Sequence, residues 1–177
     1  NLVSHNDNVS LLDAVNDSLI SVKKMFANAK HLTEFIDIME KAILLSKTDM
    51  DDVDAIRELG EGWVAEETWA IALYSAIRHI DSVEDAIIAS VNHDGDSDST
   101  GSVCGNIMGA IYGYEHIKER NIFCPEGKQL EETLELSEII LALADDLSTG
   151  CIISEYDPID TPEKRQWYDR YCEMKPA

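Results

Sequence analysis

The sequence predicts an all-helical domain, and three observations carry that expectation. Apolar residues recur at three- and four-residue steps through most of the 177-residue chain, which is the spacing of one helix face. The apolar–polar alternation that marks strands is almost absent. In the middle stands a ladder of glycines, Gly101, Gly105, Gly109 and Gly113, and a spacing of four puts them all on one helical face. A glycine inside a helix costs about 0.8–1.0 kcal/mol relative to alanine, so the ladder costs about 3–4 kcal/mol. A surface helix gains nothing for that cost, whereas a helix that a neighbour approaches closely gains packing. The stretch 99–113 is therefore expected to be the central, buried helix.

Each element has its own signal. Asn8 and Ser10 are candidate caps for a first helix, in which Leu11, Leu12, Val15, Leu19, Val22 and Phe26 form an apolar stripe. Asn28 to His31 is a short break. A second helix runs from about Thr33 to Ser46, with Phe35, Ile36, Met39, Ile43 and Leu44 on one side. Asp49, Asp51 and Asp52 open a third, shorter helix, where acidic groups suit the positive N-terminal end, and Gly60 ends it. After the tight loop Gly60-Glu61-Gly62-Trp63, a long helix reaches about Ile80 with Glu66 and Glu67 in its first turn. Trp69, Leu73, Tyr74 and Ile77 read as its core face, and His79 as a partner for its C-terminal dipole. Ser82 caps the next helix, which ends at Asn92. Beyond the glycine ladder, Glu115 to Lys128 contains Pro125 and Gly127 and reads as a loop. Leu130 to Ser148 is an amphipathic helix, with Asp145 and Asp146 placed against the dipole preference near its end. Thr149 to Asp160 is irregular, and Thr161-Pro162 is a cap-and-first-turn pair opening a last helix with Trp167 and Tyr171.

Two loops invite chemistry. In the carboxylate-dense stretch 92–99, Asp96 and Asp98 are two apart and Ser99 follows. Carboxylates and hydroxyls are hard oxygen ligands for Mg²⁺, Ca²⁺ or Mn²⁺. An EF-hand is excluded, because counting from Asp94 its glycine and glutamate positions hold Ser99 and Gly105. The commoner use of such a run is a solvated Asp/Ser turn that caps the following helix, and the residues alone leave both readings open. In the other loop, Gly60 and Gly62 allow positive φ or a close backbone approach, which is more often a turn than a ligand loop. Glu66 and Glu67 read first as dipole partners. His93, beside the acidic run, reads as a solvated loop residue rather than a base, and His5, His31, His79 and His116 are scattered. No Ser-His-Asp or Cys-His arrangement appears.

Composition narrows the classes. Asp and Glu number 35 against 14 Lys and Arg, for a formal net charge of −21. Nucleic-acid and anionic-membrane surfaces need clustered cations, so neither is expected. No apolar run reaches the roughly 18 residues of a membrane span, and the first ten residues lack the pattern of a signal peptide. Cys104, Cys124, Cys151 and Cys172 form no C-x-x-C pair. Reduced thiols in a cytoplasmic protein are the expectation.

The run HDGDSDSTGSVCGNIMGAIYG resembles the C-terminal metal motif of the ADP-ribosylglycohydrolase family, which includes dinitrogenase reductase-activating glycohydrolases. There an Asn-x-Gly-Gly-Asp-x-Asp-Thr/Ser loop leads into a glycine-rich helix. LGEGWVAEETWAIALYSAI, from Leu59 to Ile77, resembles the family's Gly-x-Gly loop and following helix, and LELSEIILALADDL with QWYDRY is a weaker third match. This chain has Asp94 where the family usually has Gly or Ser before Gly95. The family's N-terminal half, with its Gly-Asp-x-x-Gly stretch and Thr/Ser-Asp-Asp triplet, has no counterpart in it. The resemblance thus implies that residues 1–177 are the C-terminal part of a single all-helical domain, an orthogonal multi-helix bundle.

The resemblance also implies an activity: hydrolysis, at a two-metal Mg²⁺ site (Mn²⁺ being possible), of the glycosidic bond joining ADP-ribose to an acceptor. Asp96 and Asp98 become catalytic candidates, and Asp96, Asp98 and Ser99 metal ligands, with Asp98 the bridging group. Gly60, Glu61, Gly62, Trp63, Asn92 and Gly95 become substrate-binding candidates. Implied partners are an ADP-ribosylated protein or a small ADP-ribose-containing substrate, and the N-terminal half of the same protein. By itself the chain is expected to be inactive, nearly metal-free and prone to associate. The rival is an inactive, crystallin-like binding or structural member of the family.

Overall fold

The computed structural model describes residues 9–120, 124–150, 153 and 161–172. Among them ten helices and no strand are assigned, as the periodicity predicts. His5, Asn8 and Cys151, the side chain of Cys172 and most of the stretch 149–160 lie outside the described residues. The chain divides into two compact units, 1–120 and 121–177.

The first unit carries α1 (Leu11–Met25), α2 (Leu32–Leu45), α3 (Asp52–Leu59), α4 (Ala65–Arg78), α5 (Val83–Val91), α6 (Ser97–Tyr112) and α7 (Tyr114–Arg120). Side-chain caps fix three starts: Ser10 accepts from the Asp13 N–H, Asp51 from Val53 and Ser82 from Asp85. Each such cap is worth about 0.5–2 kcal/mol. The hub of this unit is α4, where every residue from Ala70 to Ala76 is buried. A helix buried all round must be met on several sides, and α2, α3, α5 and α6 all pack on it. Ala70, Ala72, Ser75 and Ala76 leave room for them, and the buried Ser75 hydroxyl donates to the Ile71 carbonyl at 2.9 Å. Tyr74 fills the centre of a cluster with Ile36, Met39, Ile56, Leu59 and Ile71.

The glycine-rich helix is α6. It packs against α4 and α5 and buries Thr100, Cys104, Ile107 and Met108. The ladder serves close packing only in its first half. A Cβ on Gly101 would stand 2.5 Å from Val91 Cγ1 of α5, one on Gly105 3.7 Å from Ile87 Cδ1, and one on Gly109 would meet nothing within 4 Å. Gly113, read as the fourth rung of the ladder, is instead the C-cap that ends α6, at φ +77°.

Other expectations need correction. Leu44 and Phe26 are exposed while Leu45 and Ala14 take the inward positions. Trp69 is half-exposed at 49% and is not core. The segment read as a loop from Glu115 begins as the short helix α7, with His116 stacked on Tyr112 at 4.7 Å.

The second unit carries α8 (Leu130–Thr133), α9 (Ser137–Thr149) and α10 (Pro162–Cys172). The single helix expected over 130–148 is broken: α8 opens on a Gln129/Glu132 capping box and ends where Leu134 turns extended (φ −81°, ψ 124°), and Leu136 takes a left-handed conformation at φ 59° before α9. No glycine or proline marks that break. The odd position of Asp146 has a tertiary reason: its carboxylate accepts from Trp167 Nε1 at 3.2 Å, from Arg170 at 2.7 Å and from the Tyr171 hydroxyl, all on α10.

Candidate active site: two loops locked together

The two loops singled out in the sequence meet in the first unit. At the end of α3, Gly60 (φ +122°) and Gly62 (φ +81°) turn the chain in conformations that side chains rarely adopt. Val64, at the N-cap of α4, has no side-chain acceptor to offer, and Glu67 of the first turn reaches back instead. Its Oε2 accepts from the Glu61 N–H at 3.1 Å and the Gly62 N–H at 3.0 Å. Thr68 Oγ1 donates to the Gly62 carbonyl at 2.8 Å, and Trp63 Nε1 donates to the Glu61 carboxylate at 3.0 Å.

The acidic loop leans on this platform. The Asp96 N–H donates to the Glu61 carbonyl at 2.8 Å. Gly95 lies so close that a Cβ there would be 1.8 Å from that same oxygen. The Thr100 methyl faces Gly62, while its hydroxyl donates to the Ser90 carbonyl at 2.6 Å. His93 staples the loop from the other side: Nδ1 accepts from the Gly95 N–H at 3.1 Å and Nε2 lies 3.0 Å from Thr100 Oγ1. An accepting Nδ1 requires the neutral ring with its proton on Nε2. His93 is thus a half-buried structural fastener, not the solvated residue expected.

Asp96 occupies the N-cap position of α6 yet makes no side-chain cap hydrogen bond. The neighbouring Asp96 carboxyl first, then the backbone N–H groups of Ser99 and of Asp98 itself, hold the exposed Asp98 carboxyl below the usual carboxylate range. Asp98 and Ser99 line an open cleft of about 510 Å³, together with Thr68 and Trp69 of α4 and Ser102 and Val103 of α6. Trp63 is exposed beside the Gly-x-Gly turn, and Asn92 is the exposed C-cap of α5. Neither is part of the cleft wall.

The donor chemistry suits a hard divalent cation, with two neighbouring carboxyls, a hydroxyl next to them and access from an open cleft. In number the donors fit only part of a shell, since no group of three or more His, Cys, Asp or Glu that could hold a metal occurs among the described residues.

Sequence reasoning missed Glu67 as a loop anchor, and it missed Thr68, His93 and Thr100. One signal was available for Glu67: a glutamate at the third helical position, after a cap residue that cannot accept, tends to fold back onto the preceding backbone. The pairing of His93 with Thr100 has no such local signal.

No curated protein and no solved structure matches the chain. The family model described as ADP-ribosylglycohydrolase matches residues 4–153. That span includes both loops and the helices that hold them, and the chain belongs to the ADP-ribosylglycohydrolase family.

Proposed function

We propose that the protein containing this chain is a metal-dependent hydrolase that cleaves the glycosidic bond between ADP-ribose and an acceptor. Family membership supports the hydrolase class. The observation that carries the metal dependence is the Asp96 carboxyl, which stands at a helix N-cap without capping the helix, two residues before the cleft-lining Asp98 and Ser99. A carboxyl given only a structural task there would accept from the helix N–H groups.

Asp96, Asp98 and Ser99 would hold Mg²⁺, or Mn²⁺, on the α4–α6 cleft. When bound, the metal pair supplies orientation of the substrate and activation of a water. The chain's own work is to fix the ligands. The Glu61 peptide sets the Asp96 backbone, the start of α6 sets Asp98, and the cleft between Trp69 and Ser102 gives the substrate access. The Gly60–Trp63 turn, Asn92 and Gly95 are proposed to contact the ADP-ribosyl group. Water adds across the glycosidic bond, releasing ADP-ribose and the free acceptor. The remaining ligands come, in this proposal, from an N-terminal half of the same protein, as the family resemblance implies.

The test is ADP-ribose release from ADP-ribosylated protein with Mg²⁺ or Mn²⁺ by the protein containing both halves. Asp98→Asn is expected to abolish release with helix content unchanged in far-UV circular dichroism. Unchanged release in that variant sinks the metal assignment. A protein with both halves that binds ADP-ribose without releasing it would point to the inactive, crystallin-like reading.

A further inference from the structure

We propose that Glu67 is a positioning residue, which sets the geometry of the Asp96 and Asp98 ligand pair through the Glu61 peptide. The proposal rests on the metal-site reading above and adds a residue outside the Asp-x-Asp-Ser motif. The path is short. Glu67 stands at the third position of α4 and lies over Gly60, where a Cβ would be 2.4 Å from its Cδ. One carboxylate oxygen takes both the Glu61 and the Gly62 N–H. Two charge-assisted bonds to consecutive amides define the orientation of the turn. The Glu61 carbonyl is thereby aimed at the Asp96 N–H and pressed against Gly95. Inside α6 the Thr100 N–H and hydroxyl hold the Asp96 carbonyl, whereas the Asp96 N–H is oriented by the Glu61 carbonyl. Without the Glu67 carboxylate, two backbone donors lose their acceptor and the turn beneath Asp96 keeps the Thr68 bond to the Gly62 carbonyl but no anchor on the Glu61 amide. The ligand pair then loses its preset geometry while the core around Tyr74 stays intact.

Glu66, the neighbouring first-turn carboxylate, is the control, since it is exposed and carries the same charge. Two readouts separate positioning from charge and from general stability. The first is amide hydrogen exchange in the 177-residue chain. Glu67→Ala should speed exchange at Gly95 and Asp96 by about tenfold or more while the α4 amides stay protected. The second is Mn²⁺ affinity by calorimetry in the protein containing both halves. There Glu67→Ala should weaken binding by about 10–100-fold, the usual effect of losing a group that orients a ligand. Glu66→Ala should leave affinity within about twofold, because an exposed charge is largely screened. Glu67→Gln keeps an acceptor oxygen without the charge and should fall between wild type and Glu67→Ala.

Equal weakening by Glu66→Ala and Glu67→Ala would make the effect plain electrostatics and overturn the proposal. So would unchanged exchange at Asp96, or unchanged affinity in Glu67→Ala when Asp98→Asn abolishes binding. If the wild-type protein binds no Mn²⁺, the metal reading itself has failed. The exchange result then still decides whether Glu67 holds the loop.

Discussion

At the scale of single residues, the glycines have separate tasks that their even spacing conceals. Gly95 is needed because a Cβ would strike the Glu61 backbone, which cannot swing aside as a side chain can. Gly95→Ala should therefore cost about 1–3 kcal/mol or more. Gly109 has open space around it, so Gly109→Ala should stabilise by about 0.5–1 kcal/mol through helix propensity. Thermal melts of the two variants should shift in opposite directions, by about 2–4 °C per kcal/mol. Cys104 makes a second prediction. Burial pushes its thiol up from 9.0 to about 11, with the Ser90 contact acting the other way. A thiol whose pKa is raised by folding is fully stabilising below its unfolded pKa, and that stability is lost as pH rises toward the folded value. The wild type should thus lose about 2–3 kcal/mol relative to Cys104→Ala between pH 9 and 11, read from urea melts. The buried thiol should also resist alkylation at neutral pH.

At the scale of elements, α4 shows why burial and chemistry share one helix. Its middle is buried on all sides, its first turn anchors the Gly-x-Gly loop, and its last turn is tied to α3 through Asp52. Asp52 accepts from the Tyr74 hydroxyl at 2.7 Å and pairs with His79 at 2.8 Å. Burial first, then the Asp52 hydrogen bond and charge, push the Tyr74 phenol well above its usual range. His79 stands at the C-terminal end of α4, where the sequence places a dipole partner, and its ring is also held by a carboxylate from another helix. In the second unit, Asp146 does for α10 what Asp52 does for α4. Asp146→Ala leaves Trp167, Arg170 and Tyr171 without their shared acceptor. We expect Trp167 to become more mobile and α10 to fray, seen as faster exchange of the α10 amides with those of α4 unchanged.

At the scale of the whole molecule, stability is concentrated in the first unit. The principal core cluster lies between Leu19 and Tyr74. Ala142 is the buried apolar residue of the second unit among the described ones. A chain of residues 1–120 should accordingly keep a cooperative thermal transition, whereas residues 121–177 alone should melt without one, since too little apolar surface is withdrawn from water to offset chain entropy. Calorimetry of the two pieces decides this. No helix among the described residues is long and apolar enough to cross a membrane.

Features governed by short-range rules were legible in the sequence. Periodicity placed most helices within a residue or two, and the caps at Ser10 and Ser82 and the acidic run 49–52 located their starts, because each depends on groups a few positions apart. The glycine-rich helix and both loops of the candidate site were legible for the same reason. Which neighbours those elements meet was settled by tertiary packing. Gly101 is crowded by Val91 of α5 and Gly109 meets nothing, since what faces each rung depends on the residues another helix brings opposite it. The helix expected over 130–148 breaks at Leu136, a residue with no turn chemistry of its own. Packing also joined Glu61 to Asp96 across 35 positions, turning two separately weak loop signals into one site, because a hydrogen bond between distant backbones leaves no mark on the local spacing of side chains.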